Sequence, residues 1–304
     1  MSTVAYLTSA DMVPGQPDAR EDLFELEHQL ASLLPACASR GIRLDLRVWD
    51  DPDLLKDIED GRYQAVVIGT PWDYQERAEL FCELLERHST SVSVLNPPAV
   101  VRWNSDKSYL RELERAGVAI VPTVWVDAVQ PAAIDAAHEQ LGADRLVVKP
   151  IVGACAVRQV TVRRGEPLPP PDECPPAGAL VQPFMPSIQT EGELSFLFFG
   201  GRFSHALVKA PAAGDYRVQS VYGGVEQVYR PSEDELLVAQ AAVAAVPGVR
   251  PEDLLIARVD LVRDEAGVLR LMELELIEPY LYPEQGPQMG EVFAEALASV
   301  LQPS

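Results

Sequence analysis

Carboxylates set inside apolar strands are the most restrictive feature of this sequence. Asp260 interrupts the run ARVDLV, and Glu273 and Glu275 take alternate positions in LMELEL. An unpaired carboxylate in a buried strand is costly, so each asks for a partner. A period of two puts Glu273 and Glu275 on one sheet face. If the two segments pair through the short turn DEAGV, all three carboxylates converge. Carboxylates on rigid strands, with phosphates adding further oxygens, are a common way to hold Mg²⁺. The alternative is a solvated sheet face of alternating charge.

The remaining elements follow from periodicity. TVAYLT (3–8), IRLDLRVW (42–49) and AVVIGT (65–70) read as strands. Helical spacing runs from Glu21 to Arg40, through Leu23, Leu26, Leu30, Leu33, Leu34 and Cys37, and again from about Glu76 to Arg87. This β-α-β-β-α order predicts a parallel sheet with helices on its faces. Ligands of such sheets sit beyond the carboxyl ends of the strands. That places the loops with Ser9 and Asp11, and with Trp72, Asp73 and Tyr74, at a substrate site, although Trp72 and Tyr74 could equally pack between domains. LNPPAVV (95–101) reads as a proline-marked domain boundary. Helix Ser105–Ala116, strand AIVPTVWV (119–126), helix 131–141 and strand RLVVKP (145–150) then form a small separate unit. The proline-rich stretch 165–178 is a linker or exposed loop. After it come ALVQPF (179–184), ELSFLFF (193–199), RFSHALVKA (202–210), EQVYR (226–230), LLIARVDLV (254–262) and VLRLMELELI (268–277). These predict an antiparallel sheet, with helix 232–246 inserted and a last helix at about 287–301. The expected class is α/β, α+β in part, in units 1–98, 99–180 and 181–304.

Composition removes several functions. The chain carries 46 Asp+Glu against 25 Lys+Arg, a net charge of -21, which repels nucleic acid and anionic lipid alike. No apolar run approaches the roughly 18–20 residues of a membrane span. The start, MSTVAYL, reads as a strand rather than a signal peptide. Cys37, Cys82, Cys155 and Cys174 lie far apart with no CxxC pair, which suits a reducing cytoplasm. The 25 basic residues include only four lysines: Lys56, Lys107, Lys149 and Lys209. Lys56 lies in a polar segment. Lys149 ends a strand and precedes PIVGACA, a small-residue loop able to offer an ammonium and backbone N–H groups to phosphate. Lys107 near a helix start and Lys209 at the end of HALVK are each, taken singly, surface lysines. Arg217, in the glycine-bounded loop GDYRVQSVYGG, could clamp an anion bidentately or simply sit in a hairpin loop.

The order of these signals says more than any one of them. Lys107, Lys149-Pro-x-x-Gly-Ala, LVQPF, Lys209, the Arg217 loop, Asp260 and Glu273-x-Glu275 together resemble the ATP-grasp superfamily over nearly the whole chain. The nearest branches are the glutathione-synthetase-like and D-Ala–D-Ala-ligase-like carboxylate–amine ligases. The resemblance implies an ATP-grasp fold with an N-terminal substrate domain, a central lid and a C-terminal Mg²⁺ domain. Lys107 and Lys149 would contact ATP phosphates, with Gly153, Ala154, Cys155 and Ala156 as a flap. Gln182 and Phe184 would hold adenine, and Glu191 or Glu193 the ribose. Lys209 would reach the phosphates, Arg217 would stabilise an acyl phosphate, and Asp260, Glu273 and Glu275 would hold two Mg²⁺. Two departures stand out: Glu275 replaces a common Asn, and the flap is poor in glycine. The implied reaction activates a small amino-acid-like carboxylate for attack by an amine nitrogen. TPWDY and ELELIEPYLY further resemble a branch of cyclo-ligases that close O-ureido-D-serine to D-cycloserine. An intermolecular amino-acid or peptide ligase and a non-catalytic ATP-binding regulator are the alternatives. A homodimer is expected only by analogy with the family.

Overall fold

The computed structural model describes residues 2–153, 156–212, 214–218 and 222–301. Strands β1 (Ser2–Thr8), β2 (Ile42–Val48), β3 (Ala65–Thr70) and β4 (Ser93–Leu95) form a parallel sheet in the order β2-β1-β3-β4. Every residue of β3 is buried, because helices cover both faces of the sheet. Helix α1 (Leu23–Ser39) lies on one face; α2 (Leu54–Glu59) and α3 (Ala78–His88) lie on the other. Helix α2 departs from the sequence reading, which treats its stretch as polar surface. Its six residues bury only Leu54 and Ile58, too few for a helical period to register.

A second sheet joins β9 (Glu193–Phe199), β10 (Arg202–Ala210), β11 (Val225–Tyr229), β12 (Ile256–Arg263) and β13 (Leu269–Glu275). It is antiparallel, in the order β11-β10-β9-β12-β13. The C-terminal helix α9 (Met289–Leu301) is packed between this sheet and α1. The fit is close: a Cβ at Gly290 would lie 2.4 Å from the Ser32 carbonyl oxygen. Leu26, Leu33, Phe293 and Leu297 thereby share one core with Leu197, Phe199 and Leu207 of the second sheet. The opposite face is covered by α4 (Pro98–Asn104), α5 (Tyr109–Arg115) and α8 (Glu233–Ala244), the last opened by a Ser232/Glu235 capping box.

Strand β13 is an edge strand whose outer backbone groups are nonetheless paired. The Leu274 N–H donates to the Tyr109 hydroxyl (2.9 Å), and the Asn104 amide donates to the Leu274 carbonyl (2.8 Å). The Leu276 N–H donates to Asn104 Oδ1 (2.9 Å), while the Asn96 amide donates to the Leu276 carbonyl (2.8 Å). Further along, Leu271 exchanges backbone hydrogen bonds with Ala119 (2.8 Å) and Val121 (3.0 Å). Buried side chains thus do what another strand would, and they fix the strand that carries Glu273 and Glu275.

The third sheet, in the order β5-β8-β6-β7, contains β5 (Val124–Val126), β6 (Arg145–Pro150), β7 (Val160–Arg163) and β8 (Ala179–Pro183). Helix α6 (Pro131–Leu141) packs on it around Ile134, Ala137, Leu146, Val148 and Val181. Three expectations are corrected here. ALVQP pairs with Val124–Val126 and with β6, so it belongs to this sheet and not to the five-stranded one. The run AIVPTVWV is shared: 119–121 lies along β13 and only 124–126 joins β8, with Pro122, which lacks an N–H, between them. Two helices stand here: the one expected over 105–116 spans only Tyr109–Arg115, and another precedes it. The first begins at Pro98, where a fixed φ suits the first turn. An Asp106 side chain accepting from the Ser108 N–H (2.7 Å) separates it from the second. The proline-marked stretch 95–101 therefore starts a helix. A short helix, α7 (Ser187–Thr190), links the third sheet to the second.

Candidate active site

All three sheets contribute to one cleft. Its floor is set by strand register. Asp260 stands opposite Glu273 and next to Ser195, and Arg258 stands opposite Glu275. Alternation then puts Arg258, Asp260, Glu273 and Glu275 on the same face, as the sequence implies for the three acids. Each acid is held by a cation. Arg258 pairs with Asp260 (3.0 Å) and, more tightly, with Glu275. Lys107 pairs with Glu273 (2.8 Å), and Lys209 pairs closely with Glu193 and lies 3.5 Å from Asp260. Burial works against the Asp260 charge, yet Arg258 and Lys209 keep its carboxyl below the usual range. Burial likewise opposes the Glu273 charge, and Lys107 overcomes it. Glu275 is different: burial pushes its carboxyl up to about 7 in spite of Arg258.

The lysines come from three directions. Lys107 precedes α5 and also donates to the Gly153 carbonyl (2.6 Å), which ties the loop after β6 to the floor. Lys209 is the penultimate residue of β10 and is buried; Asp260 and Glu193 hold its ammonium well above the usual range although burial opposes the charge. Lys149, near the end of β6, lines the cleft with no hydrogen bond or ion pair among the described residues. Burial, its largest influence, lowers its pKa. A partly buried ammonium without a partner, facing a cleft, is suited to an anion.

Other predicted residues divide into those at the cleft and those elsewhere. Gly153, Ala156, Gln182, Phe184, Glu193, Arg217, Trp72 and Tyr74 line it. Ala154 and Cys155 lie outside the described residues. Gln182 is buried and donates to the Thr123 hydroxyl (3.1 Å). Phe184 lies under the Arg145 guanidinium (3.7 Å to the ring centroid) and edge-on to Tyr216 (6.0 Å). Arg217 forks onto Asp215 (2.8 Å) and covers the Tyr222 ring (3.7 Å), so it stands at the rim already engaged. Glu191 does not line the cleft: it is exposed and faces Arg263 (3.4 Å). Ser9 and Asp11 hydrogen-bond to each other away from the cleft, and Asp73 accepts from the Trp49 indole (2.7 Å). Ser9 and Asp11 thus organise their own loop, whereas Asp73 ties its loop to the one after β2.

The sequence reading assigned no role to Arg258, Gln75, Glu278, Tyr280 or Tyr282, all of which line the cleft, although the last three fall in the quoted run ELELIEPYLY. Arg258 carried a usable signal, being two residues before Asp260 on the same strand and hence on the same face. Periodicity gave none for Glu278, which lies beyond the end of β13.

Oxygen donors of this kind fit Mg²⁺. In the present arrangement they hold protein cations, and among the described residues no group of three His, Cys, Asp or Glu side chains is placed to enclose a metal. None of the described helices is long and apolar enough to cross a membrane.

The overall architecture matches an ATP-grasp ligase, PsnB, solved with a precursor variant, Mg and ADP (TM-score 0.67, 15% identity, 99% of each chain). It also matches the D-alanine–D-alanine ligase of Bacillus anthracis complexed with ATP (TM-score 0.66, 14% identity, 99% of this chain and 97% of that one). Together with the more similar relatives that follow, this fold defines an ATP-dependent carbon–nitrogen ligase of the ATP-grasp class. Residues 4–96 match the family described as the N-terminal domain of D-cycloserine synthetase DcsG. Over the full length of both chains the protein is 34% identical to the cycloserine biosynthesis protein DcsG of Streptomyces lavendulae. The crystal structure of D-cycloserine synthetase DcsG superposes with a TM-score of 0.81 at 29% identity, covering 99% of this chain and all of that one. The chain belongs to the DcsG family.

Proposed function

We propose that the protein activates the carboxylate of a small amino acid with ATP and closes it to a ring, with O-ureido-D-serine as substrate and D-cycloserine as product. The observation that carries this reading is the Lys149 ammonium, without a hydrogen bond or ion pair among the described residues, lining the same cleft as the row formed by Arg258, Asp260, Glu273 and Glu275. ATP phosphates would lie between Lys149 and Lys107, adenine near Gln182 and Phe184, and ribose near Glu193, with residues 153–156 as the flap. Asp260, Glu273 and Glu275 would hold two Mg²⁺, which neutralise phosphate charge when bound. To receive them the acids must exchange their present cation partners.

The γ-phosphoryl group passes to a carboxylate oxygen and ADP leaves, which converts a poor electrophile into an acyl phosphate. Lys149, Lys209 and Arg258, with Arg217 at the rim, supply positive charge where the transferred oxygens gather it. The ureido nitrogen bonded to oxygen attacks the acyl carbon, loses its proton and expels phosphate. Because nucleophile and electrophile belong to one molecule, positioning supplies much of the rate. Closure leaves a carbamoyl group on the ring nitrogen, and hydrolysis releases it as ammonia and carbon dioxide. The units 1–98, 99–180 and 181–304 are supported by the placement of the three sheets, although residues 98–121 pack largely on the five-stranded one.

The test is ADP release with Mg²⁺ and ATP across small amino acids, singly and in pairs. Turnover with O-ureido-D-serine alone, giving the ring compound, supports the reading. Turnover only with pairs replaces it with a two-substrate ligase. ATP binding with no turnover on any compound overturns it.

A further inference from the structure

Lys107, Lys149, Lys209 and Arg258 gather around the carboxylate row of the cleft. A further part of the lining forms where the loop after β3 meets the segment after β13. There the Trp72 indole donates to the Glu278 carbonyl (2.9 Å), and the Gln75 amide donates to Glu278 Oε1 (2.8 Å). Tyr280 stands edge-on to Tyr282 (4.6 Å between ring centroids), and both line the cleft, the Tyr282 ring lying 5.9 Å from the Lys209 ammonium and 5.7 Å from the Arg258 guanidinium. Among the described residues Glu278 Oε2 has no hydrogen bond, and no Lys or Arg stands within ion-pair distance of the carboxyl, although Lys107 and Arg258 are near enough to act on it electrostatically. The carboxylate row differs in this respect, since each of its acids already holds a Lys or Arg. Asp22, which also lines the cleft, is engaged too, in a two-point contact with Arg20.

An α-amino acid carries its ammonium on the carbon next to the carboxyl. If the carboxyl is activated over the row, the group that reads the ammonium must lie just past it, and Glu278 follows Glu275 by three residues in the same segment. We propose that Glu278, oriented by Gln75, receives the α-ammonium of the substrate and so makes the enzyme selective for α-amino carboxylates over the same molecules lacking the amino group. This deepens the proposed function and rests on its carboxylate-activating reading. Joining an N-terminal loop to the C-terminal sheet through one carboxylate also makes the contact depend on both units being in place.

The experiment compares kcat/KM for O-ureido-D-serine and its des-amino analogue, 3-(ureidooxy)propanoate, by ADP release in the wild type, Glu278→Gln and Glu278→Asp. A charge-assisted hydrogen bond removed from a desolvated site lowers the preference for the amino compound by about 50-fold in Glu278→Gln. The loss falls mainly on KM, and Glu278→Asp, which keeps the charge, recovers part of it. An unchanged ratio in Glu278→Gln overturns the assignment, as does an equal loss of preference in the Gln and Asp variants. Wild-type enzyme that turns over neither compound overturns the substrate reading, and this inference with it. Wild-type enzyme that favours the analogue overturns this inference alone.

Discussion

Arg258→Met tests how the carboxylate row is held together. Arg258 is 6% exposed, with Nη2 3.0 Å from Asp260 Oδ2 and in close contact with Glu275, and with Nη1 3.3 Å from the Tyr280 carbonyl. At an effective dielectric near 20, unit charges about 4 Å apart interact by about 4 kcal/mol. Removing one member of such a buried set costs about 3–5 kcal/mol, because the charges left behind remain desolvated. The two acids fare differently. Asp260 keeps Lys209 at 3.5 Å, whereas Glu275 has no second ion-pair partner among the described residues. The loss should therefore fall near the lower end, about 3 kcal/mol. The double variant Arg258→Met/Glu275→Gln removes a carboxyl that, without Arg258, must either stay charged and unpaired or take up a proton that the unfolded chain would not hold, and it should be more stable than the single variant by about 1–2 kcal/mol. Urea unfolding of the wild type, both single variants and the double variant gives the coupling directly. A loss below about 1 kcal/mol in Arg258→Met, or a double variant no more stable than Arg258→Met, would refute the picture of a row held by its central guanidinium.

Lys149→Ala should weaken ATP binding by about 10–100-fold, read by calorimetry in the presence of Mg²⁺, and unchanged affinity removes Lys149 from the phosphate site. His88 is buried with both ring nitrogens unpartnered among the described residues, and burial pushes its pKa down to about 4. The unfolded chain, with a histidine near 6.5, takes up that proton first as pH falls. Stability should thus drop by up to about 3 kcal/mol between pH 6.5 and 4, and His88→Leu should flatten that part of the curve. An identical pH slope in the variant would rule out His88 as a source. Gly290→Ala would place a Cβ 2.4 Å from the Ser32 carbonyl oxygen, between two helix backbones that cannot both give way. It should cost about 2 kcal/mol and lower Tm, and a thermal scan matching the wild type would show that α1 and α9 can separate freely.

The sequence by itself determined what depends on local period. β3 and β9, buried at every position, are legible as apolar runs, and the common face of Glu273 and Glu275 follows from side chains alternating along one strand. The chain order of Lys107, Lys149 and Lys209 was legible too, although not what each would touch. Only the tertiary structure decided which strands pair and which charges meet. ALVQP has the same apolar character as its neighbours, and nothing within five residues says which of two antiparallel sheets it enters. Ser9, Asp11 and Asp73 have the right chemistry and position for a site, but hydrogen bonds to nearby side chains turn them to other work. Arg258 and Glu278 acquire meaning from contacts with residues distant in the chain. Arg258 is flanked by Glu275, 17 residues on, and Glu278 is held by Gln75, 203 residues back. Periodicity reports the face on which a side chain lies. The partner waiting there is chosen by long-range packing, which no local pattern encodes.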